Sequence, residues 1–238
     1  MDAIAELLAS QGVIVCDGGM GTQLFERGLT AGDSPERWNV EHPVLIQAIH
    51  TEYIGAGADL VLTNSFGGTH FRLALHKLEN RVIEFNEAAA RVARAAADTS
   101  GRRVIVAGSM GPIGELLDPM GSMTPDAARA AFAEQAIGLA AGGADVLWIE
   151  TMSDLDEVTY AIEGARSTSD LPICATLSFD TAGRTMMGAT AADLVGRLRD
   201  LDVAAMGANC GNNIADTEGA VREVLDHDPG VPIISKAN

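Results

Sequence analysis

Seven short apolar runs, rich in β-branched residues, recur along this chain and are separated by Ala-rich stretches with helical spacing. Continuous apolar runs of this length are typical of strands that are buried on both faces of a parallel sheet. Strands that alternate with helices predict right-handed βαβ units and an α/β fold. The runs cover residues 13–16, 60–63, 104–107, 146–149, 173–177, 204–208 and 231–235.

The clearest predicted helix covers residues 84–97, where Ala and larger apolar residues recur at helical spacing. A second is predicted to run from Pro125 to about residue 141, where two glycines end it. Ser, Thr and Asp side chains accept the free N–H groups of a first helical turn. On that basis the predicted N-caps of the later helices are Thr124, Ser153 or Asp154, and Thr190.

Polar residues and glycines follow the end of every predicted strand. In a parallel barrel the carboxyl ends of all strands face one rim, so these residues would meet in one pocket. A doubly wound sheet would instead use a single crevice, at the point where the strand order reverses. Seven such strand ends therefore favour a (β/α)8 TIM barrel. The residues at these ends are 17–19, 64–66, 108–111, 150–151, 179–180, 209–211 and 236–238.

The predicted strands number seven rather than the eight of a complete barrel. A barrel closes only when its last strand pairs with its first, and unpaired apolar edges favour aggregation. No linker, low-complexity tract or block of charge divides the chain. We therefore expect a single domain, residues 1–238, that is truncated before its eighth strand; the alternative is that a partner supplies the eighth βα unit.

The chain is acidic, with a formal net charge of −17. Nucleic acids and anionic membranes attract Lys and Arg, so this charge argues against both as partners. No apolar run reaches the roughly 20 residues of a membrane-spanning helix. The cysteines number three, which argues against a disulfide framework, and the N-terminus lacks the basic segment of a signal peptide. These features predict a cytoplasmic protein.

Asp17, Gly18 and Gly19 follow the first predicted strand. The glycines let the backbone approach a ligand closely, and the neighbouring carboxylate is suited to an ammonium group. The alternative is an ordinary Gly-rich turn in which Asp17 caps the next helix.

Glu150 directly ends the apolar run 146–149. An ionised carboxylate is costly in a barrel core unless it is paired. At the rim it would recognise a cation or act as a general base. The alternative is a carboxylate that is stabilised by the dipole of a helix N-terminus.

Cys210 lies between Asn209 and Gly211 at the end of the sixth predicted strand. A cysteine in this place is a candidate nucleophile or metal ligand, and the alternative is a small buried apolar residue. Zinc needs three or more protein ligands. The other two cysteines do not obviously supply them, because Cys16 would point away from an inward Asp17 and Cys174 lies early in its strand.

Lys236, near the end of the seventh predicted strand, is a candidate Schiff-base lysine or a cation for a substrate carboxylate. A solvated surface lysine is the simpler interpretation.

The histidines show no metal-ligand spacing. His70 follows the second predicted strand and can approach the pocket, whereas the others are predicted on helix surfaces: His42, His50, His76 and His227.

Five of these segments, taken in order, resemble the homocysteine-binding domain of the homocysteine S-methyltransferase family. That family includes the N-terminal module of cobalamin-dependent methionine synthase and betaine–homocysteine methyltransferase. The resemblance covers essentially the whole chain. The segments are DGGMGT at 17–22, TNSF at 63–66, GSMGPIG at 108–114, LWIETM at 147–152 and GANCG at 207–211.

The resemblance implies a (β/α)8 barrel with zinc at the carboxyl rim. In the family zinc is held by three thiolates, which here implies Cys210 and two adjacent cysteines after the eighth strand. The resemblance also implies that Asp17 and Glu150 are the catalytic carboxylates. The residues that would bind homocysteine are Asp17, Gly18, Gly19, Asn64, Ser65, Phe66, Glu150 and Asn209.

The sequence departs from the family in having no Cys-Cys pair. The chain as written is therefore expected to lack the zinc-ligand segment, to bind zinc poorly and to be inactive.

The implied reaction is zinc-dependent methyl transfer to the thiol of homocysteine, which gives methionine. Zinc keeps the thiol deprotonated, and the thiolate attacks an electrophilic methyl group. The donor is a methylcorrinoid, betaine or a similar compound, and the DGGMGT segment is closer to the corrinoid-linked members, which implies a corrinoid protein or domain as partner. Two alternatives stay open: a Schiff-base lyase that uses Lys236, and a non-catalytic module that binds homocysteine or a corrinoid partner.

Overall fold

The computed structural model describes residues 3–237, and Asn238 of the last predicted strand end lies outside them. Six parallel strands form one sheet in the order of the chain, so each strand pairs with the next along the sequence. Helices connect consecutive strands, as parallel pairing of neighbours along the chain requires. The strands are β1 Leu60–Leu62, β2 Ile105–Met110, β3 Val146–Met152, β4 Ile173–Leu177, β5 Ala205–Cys210 and β6 Ile233–Ala237.

Residues 13–16, which were predicted as the first strand, do not form a full strand. They lie beside β1 and pair with it through one parallel bridge, between Cys16 and Leu60. The carbonyl of Val15 accepts the N–H groups of Asp59 and Leu60. Within residues 3–237 no strand pairs with the other side of this segment, so its ladder is formed on one side only.

Ten α-helices are present in residues 3–237, and those that follow the strands cover the outer face of the sheet. The three predicted N-caps are confirmed, because Thr124, Asp154 and Thr190 each accept a backbone N–H of their helix. The helices are α1 Ala3–Gln11, α2 Met20–Glu26, α3 Trp38–Glu41, α4 Pro43–Gly55, α5 His70–Ala74, α6 Val82–Thr99, α7 Pro125–Ala141, α8 Leu155–Arg166, α9 Ala191–Arg199 and α10 Ile214–Asp226.

The inner face of the sheet is an apolar layer that α1 closes from one end. Alternate residues of each strand point inward, as the two-residue period of a strand requires. Ile4 and Leu7 of α1 pack against this layer. The strand residues in the layer are Leu60, Leu62, Ile105, Ala107, Val146, Trp148, Cys174, Ala205 and Ile234.

The sheet is a partial barrel, consistent with a truncated TIM barrel. The order of the described strands leaves β6 and residues 13–16 as its two edges. A cavity of about 790 Å³ lies between these edges and reaches Trp148 of the inner layer.

None of the helices within residues 3–237 has the length and apolar character that crossing a bilayer requires.

Candidate active site

The inward alternation of the strands changes from apolar to polar at the carboxyl rim. Ser109, Glu150 and Lys236 each lie two residues beyond an inner-layer residue, namely Ala107, Trp148 and Ile234. Because side chains two apart share a face, the strands that build the apolar layer also direct these groups to the rim. Together with residues of the loops they line a cavity of about 410 Å³, the rim cavity.

Asp17 enters the rim cavity from the loop after residues 13–16, and its side chain is 2% exposed. Its Oδ2 accepts the N–H of Leu62 at 2.8 Å. Its buried Oδ1 has no hydrogen-bond partner and lies 3.5 Å from Nζ of Lys236. Burial raises the pKa of Asp17 to about 6, although Lys236 and the Leu62 N–H act in the opposite direction.

Asp17 does not cap a helix, which was the alternative interpretation. The N-cap of α2 is Gly19, and no side chain accepts a hydrogen bond there. Gly18 is required by a close approach, since a Cβ at this position would lie 2.8 Å from Cε1 of Tyr53. Tyr53 Oη in turn donates to the carbonyl of Gly19 at 3.1 Å. Gly18 therefore allows the loop to lie against α4, whereas a Cβ on Gly19 would meet Thr22 of the same segment.

Glu150 lies inside β3 and is buried in the same cavity, so it is not a helix-terminal carboxylate. Its Oε1 accepts the hydroxyl of Ser109 at 2.5 Å. Its Oε2 lies 3.4 Å from Nδ2 of Asn209. Burial raises the pKa of Glu150, while the Ser109 hydrogen bond and the charge of Lys236 lower it.

A β-bulge lies at Glu150 and Thr151. The pairing of β3 with β4 passes from Ile149–Ala175 to Met152–Leu177, so three steps on β3 match two steps on β4. The residue that follows Glu150, Thr151, has a left-handed φ of 61°. Bulges beside functional sites redirect side chains, and a left-handed β-branched residue is uncommon. The bulge was not predicted from the sequence.

Asn209 connects the ends of three neighbouring strands. Its Oδ1 accepts the N–H of Thr151 at 2.8 Å and the hydroxyl of Thr176 at 2.7 Å. Its Nδ2 donates to Oγ1 of Thr151 at 2.6 Å and lies 3.3 Å from Sγ of Cys210. Asn209 is therefore the centre of a hydrogen-bond network. Thr151 was predicted among the strand-end residues but not as a site residue, and Thr176 was not predicted at the rim.

Cys210 is held at the rim in an uncommon backbone conformation, with φ at 57°. Its carbonyl accepts the hydroxyl of Thr217 at 2.7 Å, and its Sγ lies 3.6 Å from Oγ1 of Thr151. These contacts fix the thiol in the rim cavity together with Asp17 and Glu150.

Residues 64–66 all line the cavity, but their side chains make different contacts. Nδ2 of Asn64 donates to the carbonyl of Pro35 at 2.7 Å, which ties down a neighbouring loop. The hydroxyl of Ser65 donates to the carbonyl of Ser109 at 2.7 Å. Both polar groups are thus engaged within the protein, whereas the ring of Phe66 is 39% exposed at the cavity mouth.

The other two cysteines lie away from the rim cavity. Cys174 is part of the inner apolar layer, as its early place in the strand predicted. The prediction that Cys16 points outward is wrong, because it packs against the same layer. Residues 13–16 form a single bridge, so strict strand alternation does not apply to them. Burial raises the pKa of the Cys16 thiol to about 11.

A complete zinc site needs at least three protein ligands. Within residues 3–237 no three His, Cys, Asp or Glu side chains are grouped so that they could hold a metal ion. Cys210 lines the rim cavity, but the described residues alone do not fit a complete zinc site.

The interpretation of Lys236 as a solvated surface lysine is wrong, because its side chain is 21% exposed and is paired with Asp17. The alternation of β6 turns it inward, two residues after Ile234.

His50 was predicted on a helix surface but is fully buried in α4. His70 begins α5 and does not line the rim cavity, which His76 does.

Within about 410 Å³ the rim cavity combines the buried carboxylates of Asp17 and Glu150 with the Lys236 ammonium and the Cys210 thiol. Three further titratable side chains also line it, namely Glu36, Arg72 and His76. The Glu36 carboxylate already accepts the N–H of Gly67 and the hydroxyl of Ser34. Buried charges are stable only when they are paired, and Asp17 and Glu150 both depend on the charge of Lys236, which leaves room for another positive group beside them. A small amino acid with an ammonium end meets this requirement. The thiol of Cys210 gives the same cavity a soft, sulfur-containing side.

Comparison with known proteins relates the chain to a group of methyltransferases. The sequence profile of the family described as "Homocysteine S-methyltransferase" matches residues 14–238. The methionine synthases of Mycobacterium tuberculosis and Mycobacterium leprae are each 32% identical to the chain and align with 92% and 94% of it. The chain spans only 19% and 20% of the length of these two proteins.

Solved structures show the same fold. The oxidised form of the homocysteine methyltransferase MmuM from Escherichia coli superposes with a TM-score of 0.88 at 25% identity, over 100% of this chain and 86% of that one. The metallated form of MmuM superposes with a TM-score of 0.83 at 23% identity, over 98% of this chain and 94% of that one.

Proposed function

Since the chain belongs to the homocysteine S-methyltransferase family, we propose that its rim cavity binds homocysteine for methyl transfer to the thiol, which gives methionine. The observation that carries this proposal is the meeting of Asp17 and Glu150, two buried carboxylates, with the Cys210 thiol in one cavity.

Asp17 and Glu150 hold the ammonium end of homocysteine in this proposal. Each has a raised pKa because of burial, and a bound ammonium group offsets that cost by restoring a partner charge. Oδ1 of Asp17, buried and without a hydrogen-bond partner, is the acceptor that the ligand completes. Gly18, Gly19, Ser65 and Phe66 form the surrounding wall, and Asn64 and Asn209 hold that wall in place.

The sulfur of homocysteine lies toward Cys210 in the proposed complex. Binding at two carboxylates fixes the amino-acid end, so the thiol is oriented before reaction, and such positioning contributes substantially to rate. We further propose that Cys210 is one thiolate ligand of zinc, which when bound keeps a substrate thiol deprotonated. The remaining ligands would lie outside residues 3–237, and without them we expect no turnover.

Several finer properties belong to the same proposal. The complete domain would be a single (β/α)8 barrel that acts in the cytoplasm. The methyl donor would be a methylcorrinoid, betaine or a similar compound, with a corrinoid protein or domain as the partner in the first case. The relatives named methionine synthase support the corrinoid-linked choice.

Calorimetric titration with L-homocysteine tests the proposal. We expect binding by the unaltered chain and a loss of at least about tenfold in affinity for Asp17→Asn and Glu150→Gln, because each removes a charge-assisted hydrogen bond. Asp98→Asn and Glu223→Gln are matched controls, since both carboxylates are exposed and lie on the second halves of α6 and α10. Equal affinity in all five proteins contradicts the proposal.

The two alternatives give different results. A Schiff-base lyase predicts borohydride trapping of a carbonyl compound on Lys236, which the methyltransferase does not. A non-catalytic module predicts homocysteine binding without methyl transfer even when a zinc-ligand segment is supplied.

A further inference from the structure

Lys236 and Asp17 come from the two edges of the open sheet. Lys236 lies near the end of β6, and Asp17 follows the segment that pairs with β1. Their charged groups nevertheless approach to 3.5 Å, because both side chains point into the interior of the partial barrel.

This contact is an ion pair rather than a good hydrogen bond. Charged N–H···O⁻ hydrogen bonds are usually about 2.7–2.9 Å long, so Oδ1 of Asp17 still lacks a partner at hydrogen-bond distance. The other oxygen, Oδ2, already accepts the N–H of Leu62. Lys236 therefore supplies charge to Asp17 and leaves its acceptor position open.

We propose that Lys236 is a positioning residue of the rim cavity: its ammonium group keeps Asp17 ionised while the site is empty and gives way to the ammonium group of the bound amino acid. The second part of this inference rests on the proposed function, because it takes Asp17 as the acceptor of the substrate ammonium.

The surroundings of Asp17 explain why such a cation is needed. The titratable groups that face it are Glu150 from β3, Tyr53 from α4 and the adjacent Cys16, and none of these is a base that could pair with it. Lys236 is the cation that acts on it, and the same charge favours the ionised form of Glu150. Without Lys236 the two buried carboxylates would repel each other and one would take up a proton.

Carbon-13 NMR of labelled aspartate follows the ionisation of Asp17 without any ligand, with Asp17→Asn to assign the signal. We expect a midpoint near pH 6 in the unaltered chain. In Lys236→Met the midpoint should rise by at least about one pH unit, because an ion pair at this distance contributes that much even under strong screening. Lys236→Gln is a second uncharged variant in case the first does not fold.

The chain offers matched controls. Its two lysines are Lys77 and Lys236, and Lys77 is exposed outside the cavity. Lys77→Met changes the formal charge equally, so it should leave the Asp17 midpoint unchanged, as should Lys236→Arg, which keeps the charge. An unchanged midpoint in both uncharged Lys236 variants overturns the inference.

Homocysteine titrations then test the exchange. At pH 6 we expect Lys236→Met to bind about fivefold more weakly, because less Asp17 is ionised, and at pH 8 at least as tightly, because no lysine competes. With labelled lysine, homocysteine should shift the Cε signal of Lys236 and not that of Lys77. If homocysteine binds but neither the affinity change in Lys236→Met nor the Lys236 Cε shift occurs, the exchange of ammonium groups is overturned, and the ionisation of Asp17 by Lys236 is not. If the unaltered chain does not bind homocysteine, the proposed function is overturned. The ligand-free titration of Asp17 then decides the role of Lys236.

Discussion

At the scale of single residues, strained backbone at Thr151 and Cys210 and the buried amide of Asn209 determine how side chains are oriented at the rim. Thr151 and Cys210 both have left-handed backbone, which is costly for residues other than glycine. Each is held by a side chain from elsewhere, since Asn209 accepts the N–H of Thr151 and Thr217 donates to the carbonyl of Cys210. Such strain tends to occur at functional sites, and here it turns a hydroxyl and a thiol toward each other.

His50 carries a separate cost, because it is fully buried and neither ring nitrogen has a hydrogen-bond partner. Burial lowers its pKa to about 4, below the ordinary value of 6.5. A base whose folded pKa is lowered contributes stability that is complete above pH 6.5 and is lost as the pH falls from 6.5 toward 4. Between pH 7 and pH 4.5 this loss is about 2 to 3 kcal/mol in the free energy of unfolding.

Urea denaturation at the two pH values checks this for the unaltered chain and for His50→Leu. The difference in free energy of unfolding between the two proteins should change by that amount from pH 7 to pH 4.5. Asp17 and Glu157 have raised pKa values, which act in the opposite direction. Both residues are present in both proteins, so the difference isolates His50. His227→Leu, at an exposed histidine, should behave like the unaltered chain. If the difference is independent of pH, His50 is not buried in its neutral form.

At the scale of secondary-structure elements, the close pairing of β5 with β6 determines where Lys236 lies. Gly207 is in register with Ile234, and a Cβ on Gly207 would collide with the Ile234 carbonyl oxygen. Backbone cannot move aside as a flexible side chain does, so only glycine fits here. The glycine of the GANCG segment thus brings β6, and with it Lys236, close to the other strands.

Gly207→Ala is therefore expected to lower the free energy of unfolding by about 2–3 kcal/mol or more, by overpacking at the strand pair. Gly196→Ala is the matched control, because Gly196 lies inside α9 with nothing near its missing Cβ. That change should raise the free energy of unfolding by roughly 0.5–1 kcal/mol through the helical preference of alanine. Thermal and urea unfolding of both variants measure the contrast, and a Gly207→Ala protein as stable as the unaltered chain contradicts the close pairing.

The elements were largely predictable from the sequence, whereas the local irregularities were not. Helix caps and apolar runs are local signals, so Thr124, Asp154 and Thr190 were identified, and five of the seven runs extend into strands of five or more residues. The bulge at Glu150 and Thr151 depends on contacts with β4 and with Asn209, which are distant in sequence. Residues 13–16 have a strand-like composition but lack a second neighbour within the described residues.

At the scale of the whole molecule, the site forms because every strand ends at the same rim. This principle allowed Asp17, Glu150 and Cys210 to be predicted together, and they line one cavity. It did not predict the burial of Lys236, because the distance between the two edges of an open sheet depends on its curvature. The ion pair between Lys236 and Asp17 connects these two edges at the rim.

A crystal structure of the chain with L-homocysteine tests the central claim most directly. We predict that the ammonium nitrogen lies within hydrogen-bond distance of Asp17 Oδ1 and of the Glu150 carboxylate, with the sulfur toward Cys210. Homocysteine bound with its ammonium group away from both carboxylates, or bound outside the rim cavity, would contradict the account.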